Sequence, residues 1–387
     1  MAHGAGIAGI RNGVLAFTPP DYEWDISEAT LADYRAGRDA FALTGSPVLP
    51  AGLNLGSQLH YLEALAPGRF AGMTLLPWAQ YWAWVLSGVA VSEVTSLGCH
   101  SDLWSPAKAD FSAMAQRRGW AAQFAPLAGA GDAIGTLRPD LAACTGLSRD
   151  VRIHAGLHDS NAALVAARGF PEIAGQEATV LATGTWFVAM RCCEAAPDLA
   201  ALSAARDCLV NVDVAGRPVP SARFMGGREV ELLGERIDHA GTAGLAEVLA
   251  SGAMVLPSQV PGCGPYPDSA GRWIDEPTDP VQRNAAAALY AALMADAALE
   301  LLGTTGTLLI EGRFAASELF TRALATLHPE WRVMAIAGDA DVSFGALRML
   351  LPGLAPHAVL TPIMPLEADL KSYRARWRSE IEKGGMP

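Results

Sequence analysis

The residues best suited to chemistry lie in Ala155-Gly156-Leu157-His158-Asp159-Ser160-Asn161. An apolar, strand-like run ends in glycine, His-Asp follows, and a small-residue segment continues as a helix. Such a turn presents a carboxylate at the carboxyl end of a strand, where open α/β sheets place their ligands. Asp159 can there accept a proton from an attacking hydroxyl. It can equally cap the helix behind it by accepting from its first N–H groups. His158 reads as a packed or hydrogen-bonded histidine, with a catalytic role as the alternative. Further on, Val180 to Trp186 ends an apolar run in the turn Thr183-Gly184-Thr185. Backbone N–H groups at such a turn can cradle a phosphate. Together the two turns suggest an acceptor hydroxyl facing a phosphate donor. Gly226, Gly227 and Gly312 each end another strand-like run and, taken singly, are ordinary turn glycines.

The elements that must position these residues alternate between strand and helix. Arg11-Asn12-Gly13 reads as a hairpin turn, and Asp21 to Pro50 as a surface connection with short helical pieces. Leu55, Leu59, Leu62 and Leu65 recur at helical spacing. Thr74 to Gly88 is an aromatic helix whose Trp78, Tyr81, Trp82 and Trp84 form a core face or a wall of a polar ligand site. Ser92 to Trp104 is a small polar loop, and Arg152 to Ala155 is the strand that delivers Asp159. From Glu177 the pattern restarts as strand, Gly-Thr turn and strand. A hairpin follows across Gly216, then a glycine turn at Phe224 to Glu229. Pro280 to Leu302 is the longest helix. A strand at Thr307 to Ile310, a helix at Ser317 to Leu327, a strand at Arg332 to Ala335 and a helix at Asp341 to Leu351 complete the pattern. This alternation predicts an α/β fold with a parallel or mixed sheet, one complete sheet domain lying in the second half.

The chain has 387 residues, 51% hydrophobic, with a net charge of -12 and a pI of about 5.1. That length allows two domains. The acidity argues against nucleic acid or an anionic membrane surface as the main partner. Six cysteines without a C-x-x-C pair read as reduced thiols, and the cytoplasm is the expected compartment. There is no G-x-x-x-x-G-K-[ST] motif, no G-x-G-x-x-G opening a βαβ unit and no G-x-S-x-G elbow. These absences argue against a P-loop enzyme, a nicotinamide dehydrogenase and an α/β-hydrolase.

The order of these passages resembles the FGGY family of carbohydrate kinases along nearly the whole chain. Leu76-Pro77 to Leu86-Ser87-Gly88 is similar to the family's L-P-x-D-Y-L…L-T-G passage, and Glu93 to Trp104 to the T-x-x-S…L-x-D passage after it. Gly156-Leu157-His158-Asp159 matches the G-x-H-D motif, and Thr183-Gly184-Thr185 a phosphate-loop signature. Leu309 to Ala315 and Val342 to Leu347 match the late nucleotide and G-A-A passages. The resemblance implies a two-domain actin, hexokinase and Hsp70-like (ribonuclease H-like) fold with an interdomain cleft. The sugar-binding domain would span 1–172 and the nucleotide-binding domain 173–387. It implies transfer of a phosphoryl group from MgATP to a ketose of the xylulose, rhamnulose or fuculose type, with Mg²⁺ accompanying ATP. Asp159 would be the general base, with His3 and His158 beside it on the sugar. Gly184, Thr185, Gly226, Gly227, Gly312 and Arg313 would bind the nucleotide. No protein residue is assigned to a metal, and a homodimer is the assembly considered.

Two departures stand out. The family opens on a strand bearing D-x-G-T, upstream of the place that His3 occupies here. No such motif is present, so the first domain is expected to lack its opening strands and to expose a sheet edge. A catalytically impaired sugar- or nucleotide-binding relative is the alternative expectation. The second departure is Arg313, which stands within a run that is Gly-Gly-Gly-Ala-like in many members. It would alter the nucleotide pocket or stack on adenine.

Overall fold

The computed structural model describes residues 1–193, 195–336 and 342–384. β1 (Ile7–Arg11) turns through Asn12-Gly13 into β2 (Val14–Leu15). Both turn residues have positive φ, 53° and 74°, as a tight hairpin requires. Asp21 to Pro50 is more than a surface connection, because it carries α1 (Glu28–Gly37). Ser27 caps that helix by accepting from the Thr30 N–H, and Leu31 and Tyr34, one turn apart, are buried. α2 (Leu55–Leu65) packs beneath β1. β3 (Thr74–Pro77) pairs antiparallel with the other side of β1 and runs straight into α3 (Trp78–Ser87). The expected polar loop after Ser92 contains a short buried helix, α4 (Val94–Leu97), capped by the Glu93 carboxylate.

β4 (Ala133–Thr136) and β5 (Arg152–His154) form a separate two-stranded antiparallel sheet. The strand that delivers Asp159 is therefore not a member of the large sheet of the second half. The reason is its length and its one-sided burial: of its three residues only Ile153 is buried. A parallel sheet needs strands apolar on both faces. α5 (Asp159–Ala167) follows.

The second half holds one seven-stranded mixed sheet. Its strands are β6 (Ala178–Thr183), β7 (Phe187–Cys192), β8 (Cys208–Val212), β9 (Pro218–Phe224), β10 (Thr307–Gly312), β11 (Arg332–Ile336) and β12 (Leu360–Pro362). The spatial order is β8-β9-β7-β6-β10-β11-β12, with β6, β10 and β11 mutually parallel and the outer pairs antiparallel. The register pairs Gly312 with Thr183, which sets two of the candidate nucleotide turns side by side.

Among the helices of this half are α6 (Gly226–Leu232), α7 (Pro280–Leu301), α8 (Glu318–Leu327), α9 (Val342–Leu350) and α10 (Leu370–Gly384), with another at Leu245–Ser251. Asp279 caps α7 through the Val281 N–H, and Pro280 occupies its first position. Residues 285–299 of α7 are buried on every side, which its alanines permit. Asp296, fully buried within α7, meets His328 at 2.6 Å and Arg374 and Arg378 at 2.9 Å each, tying α10 to the core. Asp296, Glu300 and His328 bring ligand atoms within 4.8 Å of one another. The two guanidiniums already neutralise the carboxylates, so the cluster is an ion-pair network. The expected helix beginning at Asp341 starts at Val342 among the described residues, Asp341 lying outside them. All six cysteines are free. Among the described residues, no helix is long and apolar enough to cross a membrane.

Candidate active site

The turn that carries Asp159 is tied down from several directions. Ala155 N–H donates to Asp132 O and Gly156 N–H to Ala130 O, at 3.1 and 3.0 Å. Gly156 sits at φ 77°, which a glycine adopts without strain. Gln80, fully buried within α3, donates through Nε2 to the carbonyls of Ala155 and Gly156 at 3.2 and 3.1 Å. The chain start closes the turn from the other side: Ala2 N–H donates to Leu157 O, and Asp159 N–H donates to Ala2 O at 3.0 Å. His158 N–H donates to Thr95 Oγ1 at 3.0 Å, and that hydroxyl donates to Glu93 Oε2 at 2.6 Å.

Asp159 is the first residue of α5, and the N-cap position belongs to His158. The capping alternative for Asp159 survives as a first-turn bond, since its carboxylate accepts a helix N–H from the first helical position. Its carboxylate is 43% exposed. Oδ1 accepts from Ser160 N–H at 2.6 Å and lies 3.2 Å from His158 Nε2. Burial holds the His158 imidazole below its ordinary pKa, Asp159 opposing the shift and His3 adding to it. A neutral ring with its proton on Nε2 donates to Asp159, and Nδ1 accepts from Asn161 Nδ2 at 3.4 Å. Ala2 and His158 pair as an isolated parallel bridge, so His3, the next residue, enters the neighbourhood of the Asp159 turn. The His3 ring lies 5.5 Å from Tyr22 and 6.3 Å from Trp78, centroid to centroid. Trp78 in turn stacks on Tyr81. Behind the turn, burial and then the Asp159 charge push the Cys99 thiol up to about 12.

The nucleotide candidates converge at the carboxyl ends of β6 and β10. Thr183 Oγ1 donates to Glu311 O at 2.6 Å and accepts from Phe314 N–H at 3.0 Å. Gly312, at φ 84°, passes so close that a Cβ would stand 2.3 Å from Thr183 O. A Cβ on Gly227 would stand 2.1 Å from Gly184 O, and one on Gly226 2.7 Å from the Phe187 ring. Arg228 N–H donates to Thr185 O at 3.4 Å. These glycines are where backbone must approach backbone or a ring. Gly184 differs from expectation in one respect. Its N–H donates to Trp186 O at 3.0 Å, so that group is spent on closing the turn.

Arg313 Nη1 lies 3.3 Å from Glu231 and Nη2 3.4 Å from Asp238, with the guanidinium over the Phe314 ring. Asp238, Gly234, Glu235, Ala240 and Asn284 help to line a cavity of about 620 Å³ beside it. Arg223, the penultimate residue of β9, pairs with Asp207 at 3.0 Å. Its guanidinium lies over the Trp186 ring at 5.0 Å. Desolvation, with the Arg223 charge after it, holds His100 down to about 3.

Sequence reasoning missed Gln80, Glu93, Thr95, Asn161 and the Ala2 backbone as supports of the Asp159 turn. The signal for Glu93 and Thr95 was a carboxylate two residues before a hydroxyl in a small polar stretch. Gln80 stood as one amide inside an aromatic helix.

Residues 175–358 match the family model described as carbohydrate kinase FGGY, C-terminal domain. No curated protein matches. The crystal structure of a carbohydrate kinase from Novosphingobium aromaticivorans is 58% identical to this chain, with a TM-score of 0.95, covering 99% of this chain and 84% of that one. A xylulose-type kinase from Brucella ovis matches in fold at 18% identity and a TM-score of 0.75, over 98% of this chain and 82% of its own. Plasmodium falciparum glycerol kinase with ADP does so at 10% identity and a TM-score of 0.74, over 99% and 82%. The 58% identity to the Novosphingobium structure over almost the whole length, with the matching C-terminal domain, places the fold in the actin/hexokinase-like class and the chain in the FGGY family of carbohydrate kinases.

Proposed function

We propose that this chain transfers the γ-phosphoryl group of MgATP to a hydroxyl of a small sugar, a ketose of the xylulose, rhamnulose or fuculose type. Residues 1–172 would hold the sugar and 173–387 the nucleotide. The observation that carries the reading is the Asp159 turn, a half-exposed carboxylate on a backbone fastened by Gln80, Thr95 and Ala2. Phosphoryl transfer asks the protein for positioning and charge neutralisation more than for covalent chemistry. Asp159 orients the acceptor hydroxyl and takes its proton as the oxygen attacks phosphorus. His158 holds Oδ1 through its Nε2 proton, which fixes the carboxylate plane. His3, Trp78 and Tyr22 form the wall against which the sugar rests.

On the donor side the Thr185 hydroxyl and the turn around Gly226, Gly227 and Gly312 hold the phosphates and nucleoside. Arg313 sits beside the base. Mg²⁺ arrives with ATP as part of the substrate and neutralises phosphate charge. The test is Asp159→Asn, assayed by ADP release over a panel of ketoses and by calorimetric MgATP binding. The expected result is a fall in turnover of about 10²–10⁴-fold with nucleotide binding retained. Unchanged turnover removes Asp159 from the mechanism.

A further inference from the structure

The wall beside the Asp159 turn is built from two stretches of chain. Met1 to Gly6 carries His3, and Asp21 to Asp25 carries Tyr22; the two rings meet edge to face at 5.5 Å. On the His3 side, Ala5 N–H donates to His3 Nδ1 at 3.3 Å, which ties the imidazole to the Ala5 backbone. The next residue, Gly6, lies against Trp78, since a Cβ there would stand 3.0 Å from the indole. On the Tyr22 side, Gly52 N–H donates to Tyr22 O at 2.9 Å.

Gln58 joins the two sides. It is the fourth residue of α2 and is 0% exposed. Its Nε2 donates to Ala5 O at 2.9 Å and to Gly52 O at 2.6 Å. A primary amide has two N–H donors, and both are spent here, one on each side of the wall. α2 gives the amide a fixed base. Asn54, which precedes the helix, donates to the carbonyls of Pro47 and His100 at 3.2 and 2.7 Å and accepts from Leu49 N–H at 3.0 Å. Leu55 and Leu59 are fully buried. The Gln58 Oε1 is also buried and has no partner among the described residues. Packing alone does not account for an amide there, because an apolar side chain of similar length fills the space without burying an unpaired acceptor. What the amide adds is its two donated bonds.

We propose that Gln58 is a positioning residue for the sugar: it fixes His3 against Tyr22 and so sets the affinity of the site for its acceptor. The proposal rests on the reading of His3 and Tyr22 as the wall of the sugar site. Gln58 is fully buried, so it reaches no ligand itself. The Asp159 turn is held separately, by Gln80, Thr95 and Ala2. A wall at the wrong spacing weakens ground state and transition state alike, so the loss falls on KM and spares kcat.

The test counts donors. Gln58→Met keeps nearly the length of the side chain and offers none. Gln58→Glu, assayed at about pH 6, keeps one, because burial raises the pKa of a carboxyl and leaves it protonated. The probes are D-xylulose, L-rhamnulose and L-fuculose with MgATP. For the ketose that the unaltered chain phosphorylates, KM is expected to rise about tenfold in Gln58→Met and by less in Gln58→Glu, with kcat and KM for MgATP held. Equal KM for the ketose in all three chains, or a loss confined to kcat, overturns the proposal. A second readout needs no substrate. The His3 Cε1–H proton resonance, assigned by its loss in His3→Gln, is shifted by the Tyr22 ring. In Gln58→Met it should move toward its position in Tyr22→Leu, and an unmoved resonance overturns the proposal. If the unaltered chain phosphorylates none of the three ketoses, the reading of the substrate fails and this resonance still decides the role of Gln58. If Gln58→Met does not fold, Gln58→Glu, nearest to glutamine in shape, carries both measurements.

Discussion

Replacing Thr95 by valine tests how the candidate base is held. The two side chains have nearly the same shape, so the change removes a hydroxyl without opening a cavity. Thr95 is fully buried, as is Glu93, and His158 is 6% exposed. In the intact chain the hydroxyl accepts the His158 N–H at 3.0 Å and donates to Glu93 Oε2 at 2.6 Å. Valine leaves a buried N–H without an acceptor and, above about pH 7 where the Glu93 carboxyl ionises, takes a charge-assisted bond from a buried carboxylate. Each loss costs about 1–3 kcal/mol, the second at the upper end, so the sum is about 3–5 kcal/mol. The Asp159 turn keeps its ties to Ala2 and Gln80 but loses the one at His158. A displacement of about 1 Å at a reacting group can lower turnover by about 10²-fold. Denaturant unfolding and an ADP-release assay read the two effects. We expect lower stability, lower kcat and an unchanged KM for MgATP, because Thr95 makes no contact with the nucleotide turns. Thr95→Ser, which keeps the hydroxyl, restores most of both. A valine variant with unaltered stability and unaltered kcat would refute the reasoning.

Two further outcomes are expected. Burial pushes the Glu93 carboxyl up to about 7, its bonds from Thr95 and Ser96 pulling the other way. The fold therefore favours the protonated form; this contribution is complete below about 4.5 and lost as pH rises through about 7. Glu93→Gln should abolish that slope, worth about 3 kcal/mol, so the stability gap between variant and parent shifts in the variant's favour from pH 5 to pH 8, as thermal unfolding at each pH will show. Gly227→Ala puts a methyl 2.1 Å from Gly184 O, a backbone atom that cannot rotate away. It should raise KM for MgATP and leave KM for the sugar unchanged, and equal shifts in both would refute the assignment of Gly227 to the nucleotide.

Much of the frame was legible because it rests on local rules. Asn12-Gly13 needs a turn with positive φ, and the structure has one. The alanine-rich run from Pro280 needs a helix, and α7 ends at Leu301, one residue from the expected end. The candidate motif residues could be placed in order because the G-x-H-D and T-G-T passages are contiguous. The sheet membership of β5 was not legible, since three residues carry too little pattern to say which partner they choose. Nor was the burial of Tyr34 and Arg38 around Asp102, which joins residues 64 or more positions apart.

By itself, the sequence determined the α/β class, the strand-to-helix turn at Asp159 and the glycines at Gly226, Gly227 and Gly312. These follow from periodicity and from backbone freedom, which are properties of neighbouring residues. Only the tertiary structure decided that His158 takes the N-cap position while Asp159 accepts the Ser160 N–H, that Ala2, Gln80 and Thr95 hold its turn, and that Arg168, Arg217 and Arg348 line one cavity. Those facts depend on hydrogen bonds and charges between distant segments. A carboxylate or guanidinium becomes a base, a brace or a binding group through the partners that folding brings to it.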